Sequence, residues 1–206
     1  MKEAKKIPSM DELKEAIKEA VKNAVKELFK INEDFYFLVL VTPGEAHAPA
    51  LSAGSTEGLQ RTVKKYEEEY EADPDDPDLL TLKWSIADSP YDCWGYEEYF
   101  KDVEALFDLR PCIDEFIDIK RKDKARQKEM DEKWEIEHAL RMEAMFLAMK
   151  ELDEEDVFER KTKRKHLFIN VAPEWLNVRR TALLLNNDEA LKQIIQDDAL
   201  EADGVE

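Results

Sequence analysis

Phe35-Tyr36-Phe37-Leu38-Val39-Leu40-Val41 is the longest strongly apolar run in the chain, closed by Asp34 on one side and by Thr42-Pro43-Gly44 on the other. Seven residues are too few for a buried helix, and aromatic and β-branched side chains dominate, so the run reads as a central strand covered on both faces. The Pro-Gly pair supplies a turn, and residues 46–53 can return as a second strand. Pro49 has no amide hydrogen to donate, which assigns that strand to an edge or a bulge.

On the N-terminal side, Leu13, Ile17, Val21, Val25 and Leu28 recur at helical spacing with Lys and Glu on the opposite face. They give an amphipathic helix within residues 1–31. Ser9 stands three residues before Glu12, the spacing at which hydroxyl and carboxylate satisfy each other's backbone donors in a capping box.

On the C-terminal side, Ser55 and Thr56 can cap a second helix carrying Leu59, Val63, Tyr66 and Tyr70 on one stripe. It runs into Glu67, Glu68, Glu69, Glu71, Asp73, Asp75, Asp76 and Asp78, uninterrupted by any base, with Pro74 and Pro77 marking a loop. Leu80, Leu82 and Trp84 alternate with polar residues and predict a third strand, followed by an aromatic-rich loop over residues 85–95. Residues 96–109 read as a helix with Tyr99, Phe100, Val103 and Phe107 on one side, and Pro111 separates it from a long helical tract ending near Leu152. The first half of that tract, 120–133, is basic and poor in apolar residues, an exposed arm; from Trp134 onward Ile136, Leu140, Ala144, Leu147 and Ala148 restore a packed stripe. Residues 166–171 predict a fourth strand. Pro173 suits the first turn of a helix with Trp175, Val178 and Leu183, Asp188 can cap a last helix with Leu191, Ile194 and Ile195 inward, and the acidic tail 199–206 is expected to fray. The expectation is therefore one α+β domain over 1–206: a small, mainly antiparallel sheet of about four strands with helices packed on it, plus one long, partly exposed helix.

The chain has 206 residues, with 31 Lys and Arg against 49 Asp and Glu, a net charge of −18. That field repels nucleic acid and anionic membranes and draws in a basic protein partner. With no signal-like or membrane-spanning apolar stretch, a cytoplasmic location is expected, and Cys93 and Cys112 read as reduced thiols. His47, His138 and His166 sit in separate elements without metal-ligand spacing, and there is no phosphate-cradling glycine loop, nucleophile elbow or His-Glu-x-x-His helix. No catalytic residue, metal ligand or cofactor is therefore assigned, although the cysteines could act as nucleophiles if a histidine came near in space. The acidic stretch lacks the glycine turn and alternate spacing of a calcium loop, and the basic arm lacks the interleaved aromatics of a nucleic-acid surface. As candidate binding residues there remain the acids Glu67, Glu68, Asp73, Asp75 and Asp76, which could steer a basic partner, and Tyr91, Trp94 and Tyr96 in the aromatic loop, which could anchor it. The rival reading makes the acids a solvated loop and the aromatics part of the core.

Three stretches together resemble a bacterial family of unknown function, domain of unknown function 4303: the 35–41 strand with its turn, Ser55-Thr-Glu-Gly-Leu-Gln-Arg61 leading to Tyr66, and Lys83-Trp-Ser-Ile-Ala-Asp-Ser-Pro-Tyr91 leading to Tyr99. Met149-Lys-Glu-Leu-Asp153 and the 166–171 strand agree in order, and Ser89 departs from the second Trp that members often carry. The resemblance implies no activity. In size and acidity the chain is like the immunity proteins encoded beside bacterial toxins, an analogy of class. The expected function is a non-enzymatic immunity protein, an antitoxin that binds and neutralises a cognate basic toxin. The alternatives are an acidic mimic of nucleic acid that inhibits a DNA-binding enzyme, and an enzyme with an unrecognised site.

Overall fold

The computed structural model describes residues 6–71, 73, 77–111, 124–159, 164–173 and 179–196. Helix α1 (Met10–Leu28) starts at Ser9, whose hydroxyl accepts the Glu12 amide while the Glu12 carboxylate accepts the Ser9 amide. The ammonium of Lys6, with the Ser9 donors, holds the Glu12 carboxyl down to about 2. Strands β1 (Phe35–Thr42) and β2 (Ala50–Ser55) form the antiparallel hairpin, joined by a turn in which the Ala46 amide donates to the Pro43 carbonyl. The connection is longer than a tight Pro-Gly turn, so the return strand begins at Ala50 and not at residue 46.

Helix α2 (Thr56–Tyr70) is capped by Ser55, which accepts the Gly58 amide. A 3-10 helix (Pro77–Trp84), a π-helical turn (Tyr96–Phe100) and α3 (Lys101–Phe107) follow, then the long helix α4 (Lys124–Glu154), β3 (Phe168–Pro173), α5 (Arg179–Leu185) and α6 (Asp188–Gln196). The sheet order is β2-β1-β3, with β3 parallel to β1.

Two expectations need correction. The sheet of the described residues has three strands and is mixed, because β3 returns parallel to β1 after the chain has passed through α3 and α4. Residues 80–84 are helical. The alternation of Leu80, Leu82 and Trp84 fits a strand, but no sheet edge is left for one: Tyr91 bridges Ala53 on the outer side of β2, and the Trp94 amide donates to Leu51. On the outer side of β3, the Asn186 side chain both accepts the Ile169 amide and donates to its carbonyl, while the Thr181 hydroxyl donates to Val171. Both edges are thereby blunted against further pairing.

The central strand is covered on both faces, as its unbroken apolar run predicts. Leu38 and Leu40 pack with Leu51, Ile169 and Val171 against α1 and α4, whereas Phe37 and Val39 pack with Trp84, Phe168, Ala182, Leu191 and Ile194. Lysines of α1 clamp α4: Lys14 and Lys18 hold Glu151 at 2.6 Å each, and Lys18 and Lys22 reach Glu155 at 2.8 and 3.3 Å.

Smaller differences concern the ends. Asn187, not Asp188, caps α6 through the Glu189 and Ala190 amides, and Ile195 faces outward. Leu183 is exposed, Tyr70 is exposed at the end of the α2 stripe, and Trp175, Val178 and the 199–206 tail lie outside the described residues. Along the described part of the arm, the α4 surface is mostly exposed before Glu137 and packed from Arg141 onward. Among the described residues no helix is long and apolar enough to cross a membrane.

Candidate functional site

The loop after Trp84 makes two left-handed backbone steps, Cys93 at φ 48° and Gly95 at φ 66°, and then enters the π-helical turn. At Gly95 a side chain is excluded twice: the φ disfavours it, and a Cβ would lie 2.6 Å from the Tyr99 ring. Left-handed non-glycine residues and single π turns are held against their own cost by surrounding structure and cluster at functional positions. Here they tip the start of the helix toward the β1–β2 connection and open a groove of about 680 Å³ between the two.

One wall of that groove is Val41, Pro43, Ala48 and Ala50; the other is Tyr96, Glu97 and Glu98, with the Cys93 thiol at the rim. Glu97 is exposed and pairs with Lys101 at 2.8 Å. Glu98 is exposed and forms no ion pair among the described residues. Burial, then the neighbouring Asp92 carboxylate, pushes the Cys93 thiol up, so it stays protonated at neutral pH and is a poor nucleophile. Burial followed by Glu104 raises the Tyr96 phenol as well.

A second hollow of about 510 Å³ adjoins the first and shares Pro43, Ala48 and Tyr96 with it. Its far end is built on a buried ionic cluster. Glu137 accepts Arg110 at 2.5 and 2.6 Å and Arg141 at 2.8 Å, with side-chain exposures of 7% for Glu137, 9% for Arg110 and 3% for Arg141. Arg141 also donates to the carbonyls of Ala46 and Pro111, and Arg110 to that of Pro8, so the cluster ties α4 to the β1–β2 connection, to the segment before α1 and to the segment after α3.

Sequence reasoning missed this cluster and a second network. Glu33, only partly exposed, accepts the Ser55 hydroxyl at 2.5 Å, the Tyr91 hydroxyl at 2.7 Å and Arg61 at 2.6 Å. Arg61 also donates to the Tyr91 oxygen at 2.8 Å, and Tyr66 donates to Asp88 at 2.6 Å. Apart from the Glu137–Arg141 pair, four positions apart on α4, the bonded partners lie tens of residues from one another, so spacing does not join them.

For Glu33 and Glu137, burial alone would raise the carboxyl, but the hydrogen-bonded donors outweigh it and hold both below the ordinary value of 4.5. A lowered folded-state pKa means stability present above the unfolded value and lost as pH falls through the folded one. The stability advantage of the native chain over Glu33→Gln should therefore be full from neutral pH down to about 4.5 and shrink below it. Paired urea titrations across that range check the sign; an advantage that grows on acidification would refute the assignment.

The expected binding residues separate into three groups. Tyr96 lines both hollows. Tyr91 is 6% exposed with its hydroxyl engaged by Glu33 and Arg61, and Trp94 donates from Nε1 to the Ala24 carbonyl on α1, so these two rings serve the core and hold the loop in place. Glu67 is half-buried and Glu68 exposed on the last turns of α2, Glu68 within 3.5 Å of Lys64, and Asp73 is exposed beyond it; Asp75 and Asp76 lie outside the described residues. Glu67, Glu68 and Asp73 do not line the groove, but α2 is fastened to the aromatic loop through Arg61, Thr62 and Tyr66. The groove acids Glu97, Glu98, Glu104 and Asp108 were not singled out as a set, although their spacing on a helical stretch was readable. Cys112 lies outside the described residues, and among the described residues no three His, Cys, Asp or Glu side chains converge to hold a metal ion.

No curated protein and no solved structure matches the chain. The model of the domain of unknown function DUF4303 matches residues 17–187, from within α1 to the cap of α6, so that the sheet, both hollows and both ionic networks fall inside it, and the chain belongs to that family.

Proposed function

We propose that this chain is a non-enzymatic binding protein for a basic protein partner, acting in the cytoplasm as an immunity protein that occludes a bacterial toxin. The observation that carries the reading is the groove at the π turn: an apolar wall facing carboxylates, with Glu98 in no ion pair among the described residues, on a molecule of net charge −18. Apolar contact supplies affinity there, and the acidic field speeds encounter with a positive surface while disfavouring anionic ones. Glu67, Glu68 and Asp73, with Asp75 and Asp76, extend the acidic field along and beyond α2, and Tyr96 is the aromatic ring placed to meet the partner.

Co-expression with the product of the adjacent gene tests it. The chain should relieve growth arrest caused by that product and form an isolable complex with it, and Lys at positions 73, 75 and 76 together should slow association about tenfold at low salt. Arrest that the chain does not relieve, with no complex formed, contradicts the proposal. Unselective inhibition of DNA-binding enzymes, lost steeply with added salt, would favour the mimic of nucleic acid instead.

A further inference from the structure

The two hollows adjoin, with Pro43, Ala48 and Tyr96 lining both, and are taken together as one trough. Its helical wall carries four carboxylates, Glu97 and Glu98 at one end and Glu104 and Asp108 at the other, against a single ammonium, Lys101, which Glu97 already engages. At the far end the guanidiniums of Arg110 and Arg141 share the one Glu137 carboxylate, which leaves five carboxylates against three cations around the two hollows. The helical wall therefore presents an excess of negative charge across from the apolar wall of Val41, Ala48 and Ala50.

The spacing selects the occupant. Residues 98 and 108 are ten positions apart on a helical stretch, about 15 Å at a rise of 1.5 Å per residue. That is too long for one compact cation. An extended peptide advances about 3.3 Å per residue and sends alternate side chains to the same side, so two residues four apart stand about 13 Å from each other and face the same way. Lys and Arg suit both surfaces, since their stems lie on apolar walls while the charged head reaches the carboxylate.

Resting on the reading of the chain as a receiver of a basic protein, we infer that the trough binds an extended segment of that partner bearing two basic residues four positions apart with an apolar residue midway. One basic head sits at Glu98 and Glu97, the other at Asp108 and Glu104, and the apolar side chain between them descends beside Tyr96.

A dye-labelled peptide Lys-Thr-Val-Thr-Lys, capped at both ends, is titrated with the full chain and followed by fluorescence anisotropy. Saturable binding is expected, weakened about tenfold by Glu98→Lys and by Asp108→Lys, and unchanged within about twofold by Glu135→Lys, an exposed position on α4 that alters the net charge equally. A peptide with the lysines three apart, Lys-Thr-Val-Lys, should bind several-fold more weakly, and one with Glu in place of both lysines not at all. All three substitutions are at exposed positions, and unchanged circular dichroism confirms that each variant is folded. Equal weakening by Glu135→Lys, indifference to lysine spacing, or absence of binding overturns the inference. If the peptide fails while the partner protein is still neutralised, the trough assignment falls and the binding reading stands; if both fail, that reading falls with it.

Discussion

Exchanging Glu137 for glutamine is expected to lower the free energy of unfolding by about 3–5 kcal/mol, the cost of removing one partner from a buried ionic cluster. The carboxylate is shared by two guanidiniums that are themselves almost fully enclosed, so its loss leaves two like charges facing each other without a counterion. An amide keeps the shape but offers one acceptor oxygen and no charge, which cannot replace three charge-assisted bonds. The damage should be felt at the trough as well, since Arg141 holds the Ala46 carbonyl and Arg110 the Pro8 carbonyl through the same cluster. Urea denaturation with an unchanged m-value measures the loss; a decrease below about 1 kcal/mol would mean that the cluster is solvated and does not organise this end of the molecule.

Phe37→Ala should cost a similar amount, about 3–5 kcal/mol, by opening a cavity on the sheet face that α1 does not cover. The Phe37 ring is fully buried, lies 6.1 Å from the Trp84 ring and 5.4 Å from the Tyr36 ring, and fills the space above Gly54, where a Cβ would meet it at 2.2 Å. Because position 54 has no side chain to lean into the vacated volume, relaxation is limited and the value should fall in the upper part of the range. Reciprocally, Gly54→Ala overpacks the same spot and should cost about 1–3 kcal/mol. Thermal denaturation of both variants checks the pair of effects, and a neutral Phe37→Ala would show that this second core contributes little.

The parts of this fold that were legible in the sequence are those written locally. Capping at Ser9 and Ser55, the helical period of α1 and the continuous run of β1 each concern residues within a few positions, where backbone preference and side-chain pattern agree. The misreading of residues 80–84 shows the limit: Leu80, Leu82 and Trp84 alternate like a strand, yet whether a strand forms depends on a free edge, and the edges are taken by Tyr91 and Asn186, which no pattern within 80–84 announces. The parallel pairing of β3 was hidden for the same reason, since no turn joins β3 to β1 to fix their register.

For the proposed site, composition suggests the kind of partner and not the position. The surplus of carboxylates gives an expectation of a basic partner, but no reason to prefer residues 97, 98, 104 and 108 over the conspicuous run from Glu67 onward. The aromatic loop was recognised as unusual, whereas the division of labour within it depends on depth: Tyr91 and Trp94 face inward to Glu33 and α1, and Tyr96 faces the trough. Two left-handed residues flanking Trp94 decide that orientation, and of the two only Gly95 could be suspected from its residue type.

The trough wall is proposed as the surface that meets a positively charged protein. Amide chemical shifts of the isotope-labelled chain, followed while an unlabelled basic partner is added, test this most directly. Perturbations concentrated at Ala48, Tyr96, Glu98, Glu104 and Asp108, with Glu135 unmoved, are the predicted result. Shifts confined to Glu67, Glu68 and Asp73, or scattered evenly over the acidic surface while Tyr96 and Glu98 stay still, would contradict it.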